Sequence, residues 1–187
     1  NSSLSHGVYE SKNKKIIYKT LDLAAANNLS IETRVAIFCL LTEYNIENII
    51  QQYIPNVFPR KNLSKGVLTQ LRATKSQTQT STLLSSHLDS ILNAAELSNE
   101  QIVDLVMHLD GLRNPARFRK ILDAASVINQ TLNSRSYVHH VSILIASLDI
   151  LKSIKLPDLA DIGSTTDISQ RVRYARIIAL DKELPRK

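Results

Sequence analysis

Three observations predict an all-α fold, a helical body-and-tail bundle of about eight to nine helices. The chain has only four glycines. Alternation of β-branched residues is scarce, while apolar residues recur at three- and four-residue intervals along most of the sequence. Helix-start and helix-stop signals also punctuate it, most clearly at Ser98, Gly111 and Asn114-Pro115.

The stretch from Leu83 to Asp123 reads as three helices with two short turns. Leu84, Leu88, Ile91, Leu92 and Ala95 give the first an apolar face. Ser98 with Gln101 forms a capping box that opens a helix over Gln101–Asp110. Gly111 is placed to end it, because glycine takes the left-handed conformation without penalty. Asn114 supplies an N-cap acceptor and Pro115 a first helical residue for the third, in which Phe118, Ile121, Leu122 and Ala125 form the buried stripe. Arg117, Arg119 and Lys120 lie outside that stripe.

Before this unit, a polar leader (Asn1–Lys14) precedes a helix facing inward through Ile16, Ile17, Thr20, Leu21 and Ala24. Asn27-Asn28 breaks it, and Ser30 caps a second helix that buries Val35, Phe38, Leu41 and Tyr44. Asn45 separates a short third helix with Ile46, Ile49, Ile50 and Tyr53. Pro55 and Pro59 bracket a loop, since each disfavours helix in the preceding residue. Leu63, Val67, Leu68 and Leu71 make a weaker pattern among Lys61, Lys65, Arg72 and Lys75. The tract Gln77–Thr82 has no apolar periodicity and reads as a connection.

After it, Asn129–Ser134 is a polar break. Tyr137–Ile154 is a strongly apolar helix centred on Val138, Val141, Ile145, Leu148 and Leu151. Pro157 and Gly163 mark a loop, and Asp167 with Gln170 offers a second capping box. It opens a last helix, Ile168–Glu183, with Ile168, Val172, Ala175, Ile178 and Ala179 on one face. The resulting division is a leader (1–14), a helical body (15–130) and a C-terminal tail (131–187).

The length suffices for one large or two small domains and a core without disulfides. Cys39, the single cysteine, lies in the apolar run Val35–Leu41 and reads as a buried reduced thiol, which excludes an intramolecular disulfide and a thiolate metal cluster. The chain opens at Asn1 rather than Met, as a piece of a longer protein would. No signal peptide opens it and its apolar stretches fall short of a membrane span, so a cytoplasmic setting without a membrane partner is expected. No oligomeric state follows from the sequence.

Catalytic signals are missing. Asp89, Asp104, Asp110, Asp123, Asp149, Asp158 and Asp161 are scattered, without the adjacent pair that holds magnesium for nucleotidyl transfer. Neither a Walker loop nor a GxGxxG turn is present. His139 and His140 point about 100° apart on a helix, a poor arrangement for one metal. His87 and His108 each begin a His-Leu-Asp triplet, but residues two apart face different ways. Each histidine therefore reads as a partly buried or solvated side chain. No catalytic residue, metal ligand or cofactor is assigned.

The basic residues carry the better signal. The formal net charge is +6, which suits a polyanion without requiring one. Arg113, Arg117 and Lys120 are spaced to be presented together at a helix start, where backbone amides add to their pull on a phosphate. Arg171, Arg173 and Arg176 form a second cluster. The two readings are phosphate contact and a solvated helix flank paired to Asp123 or Glu183.

The phrase His87–Leu122, HLDSILNAAELSNEQIVDLVMHLDGLRNPARFRKIL, resembles the body of bacterial tRNA nucleotidyltransferases, the CCA-adding enzymes of the polymerase β superfamily. Leu97, Ile102-Val103, Leu105, Leu109-Asp110, Arg113, Pro115 and Arg117-Phe118 stand at the corresponding places. Ile168–Leu180 looks like the tail helix of the same enzymes. The resemblance implies a tRNA-binding body and tail, gripping the phosphate backbone while a head domain adds C, C and A. Magnesium, CTP and ATP would belong to that head, whose glycine turn and paired carboxylates are not in this sequence. Phe38–Tyr44 stands where many members carry an HD-type metal motif, with Leu40-Leu41 in place of His-Asp. Asp123–Asn129 likewise lacks the family's acidic and arginine residues. The body looks like a degenerate HD domain, and an active HD-type phosphohydrolase is the least supported reading. The alternative to RNA binding is a stand-alone, inactive helical interaction scaffold.

Overall fold

The computed structural model describes residues 2–53, 63–132, 138–154 and 168–184. Among them the fold is all-α: α1 (Ser2–Ala26), α2 (Ile31–Tyr53), α3 (Leu63–Gln70), α4 (Lys75–Leu92), α5 (Asn99–His108), α6 (Pro115–Leu132), α7 (Val138–Ser153) and α8 (Ile168–Glu183), with a 3-10 turn at Ala94–Glu96. None of these helices is long and apolar enough to cross a membrane. The expected loops at Pro55–Pro59 and Pro157–Gly163, and the cap at Asp167, lie outside the described residues.

Two compact units share the chain: Asn1–Ser86 with Lys120–Arg135, and His87–Arg119 with Ser136–Lys187. The first is built around Ala36, Ile37, Leu41, Leu84, Ile121, Leu122 and Ile128, all buried. Ser30 caps α2 as expected, its Oγ accepting from the Thr33 amide at 3.2 Å. Two helices run further than their polar residues suggest. The segment Ser2–Lys14 is the start of α1 rather than a leader, and α2 continues through Asn45. The inward face of α2 is also turned: Thr33, Ala36, Ile37 and Leu41 are buried, whereas Val35 and Phe38 are half-buried. The side chains from Tyr44 to Tyr53 lie outside those described.

The larger correction falls on Gln77–Thr82, which is helix, not connection. Thr74 and Gln77 form a capping box: the Gln77 amide donates to Thr74 Oγ1 at 3.3 Å and the Thr74 amide to Gln77 Oε1 at 2.8 Å. Inside the helix, the Thr78 and Thr82 hydroxyls donate to carbonyls one turn back, at 3.1 and 2.9 Å. The break at Asn129 is absent too, because α6 carries that residue, buried, within its last turns.

The second unit packs α5, α7, α8 and the 3-10 turn around Ile102, Val103, Val106, Leu109, Phe118, Leu144, Leu148 and Leu180. Ser98 and Gln101 complete the expected capping box of α5. Asn114 Oδ1 caps α6 by accepting from the Arg117 amide at 3.0 Å. The end of α5 differs from expectation. Paired bonds from Gly111 N to Val106 O and from Asp110 N to Met107 O define a Schellman cap, in which Asp110 is left-handed (φ 58°) and Gly111 is not. Glycine is needed at 111 for space: a Cβ there would sit 3.0 Å from the Phe118 ring and 3.0 Å from Val106 Cγ1. The apolar faces of α7 and α8 are rotated from those expected. Ile143, Leu144 and Ser147 join Leu148 and Leu151 in the core while Val138 is exposed, and Ile177, Leu180 and Leu184 are buried at the last helix and its end; the Ile168 side chain lies outside those described.

Candidate nucleic-acid interface

Of the six basic residues singled out in the sequence, Arg113, Arg117, Arg171, Arg173 and Arg176 belong to the second unit. Lys120 belongs to the first unit. There its ammonium is 2.5 Å from Glu32 Oε2, and Glu32 also accepts from Ser76 Oγ at 2.7 Å and the buried Thr80 Oγ1 at 2.6 Å. Burial would raise the Glu32 pKa, but the bonds from Lys120, Thr80 and Ser76 and the Lys120 charge outweigh it, holding the carboxyl down to about 2. Lys120 thereby ties α2 to α6.

Arg113 and Arg117 stay together in the second unit, drawn to the two oxygens of Asp110 at 3.4 and 3.5 Å. The left-handed cap that places Asp110 between α5 and α6 thus sets both guanidiniums. They differ in setting. The Arg113 side chain is 87% exposed, and the Arg117 side chain 16%. Arg117 Nε is buried and has no hydrogen-bond partner.

Two arginines of α8, Arg173 and Arg176, reach α5. Arg173 grips Asp104 with both arms of its fork, Nε to Oδ1 and Nη2 to Oδ2, each at 2.9 Å. This hydrogen bond, ahead of the opposing effect of partial burial, lowers the Asp104 pKa, with the charges of Arg173 and His108 acting the same way. Arg176 Nη1 donates to Met107 Sδ at 3.0 Å, and burial pushes its guanidinium pKa down. Arg171 is half-buried on the same helix, and Tyr174 is 56% exposed.

One pair of residues that spacing alone sets aside proves structural. His87 and His108, the two histidines that begin His-Leu-Asp triplets, stack on each other with ring centroids 5.6 Å apart and planes 8° from parallel. The repeat marks them; only the approach of the end of α4 to α5 pairs them. His140 is also placed, its Nδ1 accepting from the Ala95 amide of the 3-10 turn at 3.1 Å. Among the described residues no three histidine, cysteine, aspartate or glutamate side chains gather as a metal site. Cys39 is buried, and burial raises its thiol pKa.

No family model, curated protein or solved structure matches the chain. That finding corrects the descriptive terms the resemblance suggested: tRNA processing, CCA addition, transferase, degenerate HD domain and a cytoplasmic setting find no support, and all-α alone stands.

Proposed function

We propose that the chain is a non-catalytic helical module that holds RNA by its phosphate backbone, the kind of role the resemblance to body and tail segments implies. The observation that carries this reading is the meeting of those two segments in one unit. The first supplies Asp104 and Met107 on α5 and Asp110 just beyond its end, and the second supplies α8 with Arg173 and Arg176. The exposed ion pairs of Arg113 and Arg173 do not remove them from use. Water screens pairs this exposed, so an arriving phosphate displaces little.

A second reading, an interaction scaffold without RNA binding, is favoured by the carboxylates that already engage Lys120, Arg113, Arg117 and Arg173. Binding of a folded RNA transcript, measured against salt, separates the two. A tRNA is the first RNA to offer, because the resemblance points there. Phosphate contacts give a steep fall of affinity with salt, and replacing Arg117 and Arg176 by Gln reduces that slope by about one for each arginine replaced. Affinity indifferent to salt, or unchanged by both substitutions, excludes the RNA reading and leaves the scaffold.

A further inference from the structure

On α5, Asp104, Met107 and His108 are spaced three and four residues apart, so they lie on one face. Each has a cationic or titratable visitor: Arg173 on Asp104, Arg176 on Met107 and His87 on His108. The visitors come from two other elements, α8 and the end of α4. All six residues belong to the second unit.

The charges of this face nearly cancel at neutral pH. Asp104 and, one turn before it, Glu100 oppose Arg173, which interacts with both. Arg176 balances the remaining negative charge, with the thioether of Met107, a weak acceptor, as its hydrogen-bond partner. Beyond the helix end, Asp110 faces Arg113 and Arg117, and Asp89 follows His87 by two residues on α4. Protonation of the imidazole pair therefore turns a face of balanced charge positive. His108 is the last residue of α5 and is exposed to solvent.

We infer that this face of α5 is a phosphate seat, with Arg176 as its permanent cation, whose hold tightens when the stacked His87–His108 pair takes up a proton. The inference rests on the RNA-holding reading and adds regulation by pH to it. Stacked rings disfavour two protons at once, since like charges at this separation repel. Burial, followed by the charge of His108, keeps the His87 pKa below its ordinary value, so the free protein holds that proton weakly. A phosphate on the face offsets the repulsion, and linkage then requires that acid strengthen phosphate binding.

The test is RNA affinity at constant ionic strength from pH 8 to 5.5, for the wild type, His108→Phe, His87→Phe and Arg176→Gln, with folding checked by circular dichroism. Phenylalanine keeps an aromatic ring in the stack but cannot titrate. A phosphate that raises one imidazole pKa by a unit tightens binding several-fold by pH 5.5, toward a limit of about tenfold in stronger acid. His108→Phe, at an exposed position, is expected to fold and to bind at pH 8 while losing that gain. Arg176→Gln is expected to weaken binding at both ends. RNA bound equally well at pH 8 and 5.5 overturns this inference alone, as does a full acid response in His108→Phe. No RNA binding at any pH overturns the proposed function with it.

Discussion

Lys120 Nζ lies 2.5 Å from Glu32 Oε2, across 88 positions of sequence. The carboxylate is also the acceptor for the fully buried Thr80 hydroxyl, so its removal takes away that bond as well. Glu32→Ala is expected to destabilise the first unit by about 2 kcal/mol, the magnitude for hydrogen bonds to a charged group. Lys120→Met, which keeps the aliphatic stem, is expected to cost less. The Glu32 pKa is depressed from 4.5 to about 2 in the folded state. The unfolded chain thus binds more protons in that window, and the contribution is complete above pH 4.5 and lost as pH falls toward 2. Urea unfolding of wild type and Glu32→Ala at several pH values checks this: the gap between them is expected to close in acid. A constant gap would show that Glu32 acts through something other than its charge.

Gly111 is held by packing, not by its dihedral angles. A methyl group there meets the Phe118 ring and Val106 Cγ1 at 3.0 Å and the Val106 carbonyl oxygen at 3.1 Å. Phe118 and Val106 are fully buried, so any shift they make to admit it disturbs the core. Gly111→Ala is therefore expected to destabilise the second unit by about 1–3 kcal/mol, the range for overpacking. Thermal unfolding followed by circular dichroism reads it. A variant as stable as wild type would mean that the α5–α6 turn can open without penalty.

The converse substitution applies at Arg72. It occupies the left-handed position of a Schellman cap after α3, with φ 49°, and the bonds from Ala73 N to Leu68 O and Arg72 N to Thr69 O complete the motif. The side chain is exposed and stands in a conformation that glycine adopts freely. Arg72→Gly is expected to stabilise by up to about 1 kcal/mol, as relief of the Cβ penalty exceeds the added freedom of the unfolded chain. A fall in unfolding midpoint would assign Arg72 a stabilising contact stronger than its strain.

Local chemistry made much of this fold legible. Ser98 with Gln101, and Asn114 with Pro115, act over three or four residues, and the bounds of α8 agree with the apolar pattern. Polar tracts misled because threonine can satisfy its own hydroxyl on the preceding turn, as Thr78 and Thr82 do, leaving no apolar periodicity in a true helix. On α7, apolar residues surround the helix, so spacing alone does not select Ile143 and Leu144 over Val138 and Val141. The site was legible as residue types, not as partners. Asp104, Glu32 and the His87–His108 stack depend on chain segments that meet only after folding.

Arg117 separates folding from binding most sharply. Its side chain is 16% exposed and reaches Asp110 only at 3.5 Å, while its buried Nε has no partner. An incompletely satisfied guanidinium adds little to stability, and replacement by an apolar chain of similar length is often neutral or favourable. Arg117→Met is therefore expected to change stability by no more than about 1 kcal/mol. The same substitution removes a cation beside the cap of α6, so RNA affinity is expected to fall and its salt slope to shrink by about one. Asp110→Asn is the complementary variant: it frees Arg113 and Arg117 from their carboxylate, while asparagine tolerates the left-handed backbone. It is expected to tighten RNA binding. Calorimetric stability and salt-dependent binding of both variants decide the matter, because a purely structural arginine would alter the first measurement and leave the second unchanged.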